Sequence, residues 1–533
     1  MRAFSNSGRM VIFVQRIQCR LIACHTNGAL NFLDHTKTAI TISATETRFA
    51  TKYRHYTMQP QTAPPRRKTP HPFNPKVRKI GLARVLLTEV IRYGPNLRKK
   101  EYRNALLSRP CIYGTFSGRF GGFHPIKEKC TGCMRCVQEY PALCTVDRNS
   151  EFYDFADSYW ASEGQATTSG SPVATVTYEA ETGHIPIKGM GYKGSFAGSG
   201  WDSIWTDMSE IVRPTRDGVY GREFISTIVD VGRKERFLQF NNGKPTQFSR
   251  TIEVSLPIIF DYLPPSLNSQ SILQSIAGAS TRTGTYFIAS SSQAKQLSED
   301  LRQRIIPLIS QDDIVDSVDL IRGARLIELE DYDPSALDED QRKLLKINPD
   351  LIISVRLPLT EKAPDQAARL ARGGLHVIHL TANYHGEGWD EQNPRFTRDL
   401  IREVQLRLVK ERCRDDITLV ASGGITKAEH VPKAIICGVD LVAIDTTVLV
   451  ALQCRFEGEC VSPESGRIAP ERFDSGWGEQ RLVNLLTSWH DQLIEILSAM
   501  GMRDVRRLRG DVGRAMFNEE LEMEAFRDIA RRN

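Results

Sequence analysis

Residues 417–425 read ITLVASGGI, a short apolar and β-branched run that ends in two glycines. A helical pattern follows, and the next apolar run occupies residues 441–444. Strand, turn, helix and strand in this order predict a parallel β/α unit, because parallel strands need a crossover connection. In such a unit the amides of Gly423 and Gly424 lie at the N-terminus of a helix, where a phosphate group is favoured. A plain tight turn is the alternative.

The same alternation of strands and helices extends over the second half of the chain. Seven or eight such units in about 250 residues favour an α/β fold of the TIM (β/α)8 barrel type over an open sheet. Late strands of such barrels are the usual place for a phosphate site. The predicted strands are 252–259, 285–289, 326–329, 351–357, 376–380, 417–421 and 441–444.

A cysteine motif lies far upstream of the barrel. Cys130, Cys133 and Cys136 are each separated by two residues, and Cys144 follows shortly after them. This spacing brings three thiolates to one side of a tight loop, as a 4Fe–4S cluster requires. Tyr140 stands where a ferredoxin has its next cysteine, so Cys144 is the candidate fourth ligand. A zinc site built from the same thiols, or a loop that binds nothing, is the alternative.

Composition bounds the class of protein. The chain has 533 residues, of which 41% are hydrophobic and 25% charged, as in globular proteins of two to four structural units. No apolar run reaches the roughly 18 residues of a membrane-spanning helix. The 11 cysteines are grouped as for metal ligation and not as a disulfide framework. A reducing, cytoplasmic location is therefore expected if the cluster forms.

The first 110 residues are basic and contain very few acids, within a net charge of +6. No aromatic interleaving accompanies the basic residues, so nucleic-acid binding is not predicted. A basic face beside a cluster would instead steer an acidic ferredoxin into place. Residues 1–57 also have the composition of an organelle import signal; an over-extended start, with the true beginning at Met58, is the alternative.

Shifts in composition divide the chain into five predicted parts. The pattern changes at a proline-rich stretch, after the cysteine loop, and where strands begin to alternate with helices. The parts are a disordered basic extension (1–75), a helical and ferredoxin-like iron–sulfur module (76–150), an irregular region covering the barrel (151–250), the barrel (251–515) and a C-terminal tail (516–533).

Two stretches carry a resemblance to a known family. Residues 205–218 read WTDMSEIVRPTRDG and resemble the leader of glutamate-synthase-related FMN proteins. The barrel, with its SGGI turn at 422–425, is similar to the FMN-binding domain of the same family. The resemblance implies a TIM barrel, bound FMN, and formation of glutamate from 2-oxoglutarate and ammonia by reduction of an imine.

The barrel mouth contains candidate catalytic residues. Arg356 takes the place of the family's lysine and would stabilise a reduced flavin; pairing with Glu328 or Glu330 is the alternative. His385, on the loop after a strand, is a candidate proton donor, whereas His379 within the strand is expected to be structural. The residues expected to bind FMN are Arg356, Ser422, Gly423, Gly424, Thr446 and Thr447.

Several positions depart from the family pattern. Asp445 stands where the family has a glycine close to the FMN phosphate, and a carboxylate there would repel the phosphate. Cys454 and Cys460 match two of three cysteines of a second cluster, but Ser465 stands in the third place, which argues against a 3Fe–4S cluster.

Partners follow from motifs that the sequence does not contain. It has no N-terminal nucleophilic cysteine. Its Gly-x-Gly-x-x-Gly match at residues 189–194 lies in the region predicted as irregular and does not follow a predicted strand, so no dinucleotide fingerprint is expected. We therefore expect ammonia, free or from a separate glutaminase subunit, and an external electron donor such as ferredoxin. The predicted function is reduction of a 2-iminoglutarate-like imine made from a 2-oxo acid. The alternative is a non-catalytic electron-transfer or scaffold protein with a diverged barrel.

Overall fold

The computed structural model describes the second half of the chain almost continuously. Cys133, Cys460, Ser465 and most of the stretch 205–218 lie outside the described residues. Those described are 60–65, 73–78, 124–130, 134–141, 143–149, 172–184, 200–206, 225–234, 249–264, 269–310, 312–330, 337–390, 394–457, 467–469 and 472–517, with shorter stretches elsewhere.

Eight parallel strands form a closed barrel, which confirms the predicted fold. The last strand pairs with the first, Ile258 opposite Val442 and Phe260 opposite Ile444. The strands are β1 Ile258–Phe260, β2 Phe287–Ser290, β3 Ile305–Ser310, β4 Leu326–Glu330, β5 Ile352–Pro358, β6 Val377–Thr381, β7 Thr418–Ser422 and β8 Leu441–Ile444.

Each strand is followed by a helix with the same number, so the carboxyl ends of all eight strands open at one face, the barrel mouth. The helices are α1 Gln270–Thr283, α2 Ser291–Lys295, α3 Val318–Gly323, α4 Leu337–Ile347, α5 Ala363–Arg372, α6 Thr397–Lys410, α7 His430–Cys437 and α8 Thr446–Ala451.

Two strands differ from the sequence prediction. The predicted strand 252–259 is two elements: Arg250–Val254, which pairs antiparallel with Val229–Arg233 outside the barrel, and β1. Strand β3 was not predicted, and it contains Pro307, a residue that usually argues against a central strand because it cannot donate to a ladder. The barrel accepts it opposite Ala289 of β2.

The strand pair Val229–Arg233 and Arg250–Val254 contacts the amino-terminal end of the barrel. The backbone N–H of Gly232 donates to Thr418 Oγ1 at 3.0 Å, and the Thr418 hydroxyl donates to the Gly232 carbonyl at 2.8 Å. Gly232 has a φ of +137°, and a Cβ there would lie 2.0 Å from the Arg250 carbonyl oxygen. This pair therefore covers the face opposite the mouth.

A long terminal helix, α9 (Ser475–Ala499), packs outside the barrel against α1 and against the helix Pro172–Thr182. Its Arg481 is fully buried and donates to the carbonyls of Ala451 and Ala63. The helix Pro172–Thr182 lies within the region predicted as irregular.

The chain ends close to the covering region. The strand Ala515–Phe517 pairs antiparallel with Ile204–Thr206, so the predicted boundary at 515 falls inside a strand. Two further pairs are Phe240–Asn241 with Lys244–Pro245 and Arg455–Glu457 with Arg467–Ala469. Among the described residues no helix has both the length and the apolar character needed to cross a bilayer.

The cysteine loop lies between two paired strands. Phe73–Val77 runs antiparallel to Cys144–Arg148, and the helix Arg135–Glu139 lies between them in sequence. Within the extension predicted as disordered, the structure has five short strands: Ala3–Asn6, Arg9–Ile12, Ile22–Thr26, Ala29–Leu33 and Ala39–Ile42.

Candidate active site

A buried network of ion pairs lies at the barrel mouth. Arg356 of β5 places Nη2 2.7 Å from Oδ1 of Asp261, which directly follows β1, and Nη1 3.3 Å from Oε1 of Glu328 on β4. Nδ1 of His379 on β6 lies 3.0 Å from both Glu328 carboxylate oxygens. Of the two alternatives for Arg356, pairing with Glu328 is found, and Asp261 is a second partner that the sequence did not predict.

The network sets the charge of its members. Burial acts to raise the pKa of Asp261, but Arg356 and His379 outweigh it and hold that pKa below the ordinary value. Burial likewise acts to lower the pKa of Arg356, and Asp261 and Glu328 more than compensate. The guanidinium is therefore a permanent cation whose charge is already balanced by two carboxylates.

Two buried polar atoms of this network have no hydrogen-bond partner among the described residues. They are Nη1 of Arg356 and Nε2 of His379. The His379 side chain is fully buried, and its Nε2 lies 4.0 Å from Asp261 Oδ2, beyond hydrogen-bond distance. Because a buried polar group without a partner is costly, both atoms favour a polar ligand at the mouth.

The double-glycine turn follows β7. Gly423 and Gly424 have φ angles of +96° and +69°. A Cβ on Gly423 would lie 2.6 Å from the Asn383 carbonyl oxygen, and one on Gly424 would lie 2.5 Å from the Gly386 Cα. Both glycines are therefore required by close packing against the loop after β6.

The amides of this turn are the strongest sign of a ligand. The N–H groups of Gly423, Gly424 and Ile425 donate to no other described residue, although all three residues are buried. Buried backbone amides are nearly always paired, so three in succession call for an acceptor. Successive amides beside a helix N-terminus are the typical cradle of a phosphate group.

The structure brings the predicted barrel residues together at this turn. The Ser422 hydroxyl donates to Asp261, which links β7 to the ion-pair network. His385 lies on the loop that packs against Gly424, and its backbone N–H donates to Asn383 Oδ1 at 2.9 Å. Thr447 Oγ1 donates to the Ile425 carbonyl at 2.8 Å.

The Thr446 hydroxyl donates to the neighbouring Asp445 carboxylate and does not face the glycine turn as a free donor. Asp445 Oδ1 accepts hydrogen bonds from the Thr446 backbone N–H and, at 3.0 Å, from its hydroxyl. The carboxylate thus caps α8 in the position of an N-cap residue. Because the hydroxyls of Thr446 and Thr447 are both engaged, the free donors for a phosphate are the amides of the glycine turn.

Burial and the neighbouring Asp261 carboxylate raise the pKa of Asp445 to about 6. Asp445 is therefore an acid that titrates close to neutrality, within the same mouth as the glycine turn. The sequence predicted a repulsive carboxylate beside the phosphate; the structure turns this carboxylate toward its own helix.

The described cysteines of the upstream motif form a small core of their own. Cys136 and Cys144 are buried and share it with Cys111, a residue that the sequence analysis did not single out. A hydrogen bond from the Cys144 thiol lowers the pKa of Cys136 to about 7, against the opposite effect of burial. Gly132 and Met134 have positive φ angles of 70° and 58°, so both residues adopt the left-handed backbone conformation typical of turns.

Sequence reasoning missed Asp261 and Cys111, and each had a signal. Asp261 is the first polar residue after an apolar run, which in a parallel barrel places it at the mouth. Cys111 lies 19 positions before Cys130, at the far end of a glycine-rich stretch.

A closed parallel barrel with charged groups and a glycine turn at its mouth defines a TIM-barrel protein, with a candidate ligand site at the carboxyl ends of its strands. Residues 313–503 match the conserved region in glutamate synthase. Part of the chain is therefore similar to the glutamate synthases, which confirms the resemblance predicted from the sequence.

Three similar proteins illustrate this relationship. The archaeal-type glutamate synthase (NADPH) of Dehalococcoides mccartyi is 22% identical over 444 residues, which cover 72% of this chain and 86% of that protein. The archaeal glutamate synthase (NADPH) of Methanocaldococcus jannaschii is 29% identical over 191 residues, 32% of this chain and 37% of that protein. A solved structure of flavocytochrome b2 with sulfite is 12% identical, with a TM-score of 0.40 over 68% of this chain and 82% of that one.

Proposed function

We propose that this chain is an FMN-dependent oxidoreductase of glutamate-synthase type that reduces 2-iminoglutarate to glutamate with electrons from an external donor. The observation that carries the proposal is the row of three buried, unpaired amides at Gly423–Ile425, at the mouth of a barrel related to the glutamate synthases. The names of the relatives support the oxidoreductase class.

The residues at the mouth fit a flavin mononucleotide. The turn amides offer donors to its phosphate, and Nη1 of Arg356 and Nε2 of His379 offer buried polar atoms to its ring or to the substrate. When bound, FMN supplies hydride transfer to the imine carbon. His385, on the loop packed against the turn, would hold a proton near the substrate, and Arg356 would orient an anionic group through its guanidinium fork.

Electrons and ammonia would come from partners. The names of the relatives include NADPH, whereas this sequence has no Gly-x-Gly-x-x-Gly motif after a predicted strand. We therefore propose an acidic ferredoxin as donor and ammonia, free or from a glutaminase subunit, as nitrogen source. A 4Fe–4S cluster at Cys130, Cys133, Cys136 and either Cys144 or Cys111 would receive the electrons. The proximity of Cys136, Cys144 and Cys111 supports this cluster.

The test is the anaerobically purified full chain. We expect flavin absorbance bands, a broad shoulder from the cluster, and formation of glutamate from 2-oxoglutarate and ammonia with chemically reduced ferredoxin. Omission of ammonia is the control and should abolish product. Flavin bands without formation of glutamate would support the proposed cofactor but contradict the proposed substrate.

A second candidate is the non-catalytic electron-transfer or scaffold protein. The observation that favours it is the neutralised Arg356 together with Asp445, which caps the helix beside the phosphate position. This candidate predicts cluster absorbance without flavin bands, even after incubation with excess FMN. The same spectrum therefore separates the two functions.

Cysteine variants identify the fourth ligand of the proposed cluster. We expect Cys144→Ser to lose most of the iron and acid-labile sulfide, because the Cys144 thiol already contacts Cys136. Cys111→Ser tests the other neighbour in the same way. Cys437→Ser, at a buried position of α7 in the barrel, is the matched control and should retain the iron. Full iron content in both Cys144→Ser and Cys111→Ser would exclude either as a ligand, and zinc in place of iron would assign a zinc site.

A further inference from the structure

A cavity lies at the amino-terminal face of the barrel, opposite the mouth. Its volume is about 810 Å³, within the range of cavities that hold small molecules. Its walls come from the end of α3, the starts of β4 and β5, the residue before β6, and the strand Arg250–Val254 that covers this face.

The cavity walls are strongly basic. Four arginines line them, against the single lining carboxylate of Asp350; the arginines are Arg233, Arg250, Arg322 and Arg325. Two of the four are engaged. Arg233 donates to the carbonyls of Ala371 and Leu375 at 3.2 and 3.0 Å and lies 3.8 Å from Asp416, and Arg322 pairs with the exposed Asp319.

The other two guanidinium groups are available. In the part of the chain that the structure describes, the side chains of Arg250 and Arg325 make no ion pair and no hydrogen bond. A guanidinium presents several N–H donors in a planar fork that matches phosphate and carboxylate groups. Two such forks at one cavity are available to donate hydrogen bonds to an anion.

The pKa of the buried His376 side chain reflects the positive charge at this wall. His376 Nδ1 accepts the Ile353 backbone N–H at 3.0 Å, so the ring proton resides on Nε2, which makes that atom a donor. Burial and then Arg250 and Arg233 lower the pKa of His376 to about 4. The ring is thus neutral at physiological pH, and its Nε2 adds a neutral donor to the charged ones.

The backbone of this wall is held firmly. The Asn348 amide donates to the carbonyls of Ile321 and Ala324 at 3.1 and 2.9 Å, and Asn348 Oδ1 accepts the Asp350 N–H. The end of α3 and the start of β5 are therefore joined independently of the arginine side chains. Removing Arg250 or Arg325, both exposed, should leave the fold intact.

We propose that this cavity is a binding site for a phosphate-bearing small molecule, held by Arg250, Arg325 and His376 on the face of the barrel opposite the mouth. The site does not depend on the proposed function, because no hydrogen bond or ion pair among the described residues joins its lining side chains to the glycine turn or to the Arg356 network. A ligand bound here would be expected to raise the stability of the folded barrel, because this face contributes to stability and not to catalysis.

Calorimetric titration of the full chain with inorganic pyrophosphate and with ADP tests the proposal. We expect binding that weakens with rising salt, and a loss of at least about tenfold in affinity in each of Arg250→Ala and Arg325→Ala. Arg507→Ala, at an exposed arginine that does not line the cavity, is the control and should bind as the unchanged chain does. Unfolding of each variant without ligand should match the unchanged chain.

Three results of the titrations would overturn the site. The first is no saturable binding of either probe at low salt, and the second is binding that both arginine variants retain. The third is succinate binding as tightly as pyrophosphate, which would replace the phosphate ligand by a dicarboxylate. In NMR titrations, saturating pyrophosphate should raise the pKa of His376, because it neutralises the neighbouring arginines; an unchanged pKa would place the bound anion elsewhere.

Discussion

Replacement of Arg356 by methionine should lower the free energy of unfolding by about 3–5 kcal/mol at pH 7. The substitution leaves Asp261 and Glu328 buried in the barrel without their cation. Breaking a buried pair by removing one partner is far more damaging than replacing the whole pair, because an uncompensated charge stays behind. Denaturant titration followed by circular dichroism gives the difference.

The companion variant restores the charge balance. Arg356→Met combined with Asp261→Asn and Glu328→Gln should recover much of the lost free energy of unfolding. In this triple variant, neither carboxylate remains buried without its cation. Arg414→Met is a control of the same type outside the mouth, because Arg414 is buried and pairs with Asp440 at 2.8 Å. A loss below about 1 kcal/mol in Arg356→Met would mean that the two carboxylates are not both charged in the folded protein.

The same ion pairs change what Arg356 would contribute to a bound flavin. The sequence suggested a fixed cation that stabilises the anionic reduced ring. In the structure, two carboxylates already balance that cation, so its effect on the reduction potential should be smaller than that of an unpaired arginine. Its Nη1 atom still offers a hydrogen bond.

Local patterns in the sequence predicted the barrel well. The predicted strands 417–421 and 441–444 correspond to Thr418–Ser422 and Leu441–Ile444. A β-branched apolar run that ends in glycine is a local signal within about ten residues, so it can be recognised without knowledge of distant contacts. Strand β3 was not predicted because Pro307 interrupts the β-branched pattern of its sequence. Its pairing with β2 and β4 establishes it as a strand.

The sequence predicted single residues of the candidate site, but it did not predict which of them pair with one another. Each of Arg356, Ser422 and Gly423 could be placed at a strand end by pattern. The pairing of Arg356 with Asp261, 95 positions earlier, follows from closure of the barrel, which brings side chains of different strands together across its interior. No local signal in the sequence specifies which charged residues meet there.

Asp445→Asn should stabilise the protein, and the gain should depend on pH. Burial and the Asp261 carboxylate raise the pKa of Asp445 from 3.8 to about 6. Between these values the folded state holds a proton that the unfolded state has released, so stability falls as pH rises through this window and stays low above it. Asparagine keeps an oxygen for the Thr446 N–H and removes the buried charge. We expect a gain of about 2 kcal/mol at pH 7.5 and almost none at pH 3.5.

Asp440→Asn is the control with the opposite sign. Burial acts to raise the pKa of Asp440, but Arg414 and Arg509 hold it below the ordinary value, so its charge stabilises the fold above that ordinary value and the contribution is lost as pH falls. The asparagine variant should therefore be less stable than the unchanged chain at pH 7.5, with the difference shrinking in acid. Equal unfolding free energies for Asp445→Asn and the unchanged chain at pH 7.5 would show that Asp445 ionises in the barrel mouth without penalty, and the mouth would then be open to water.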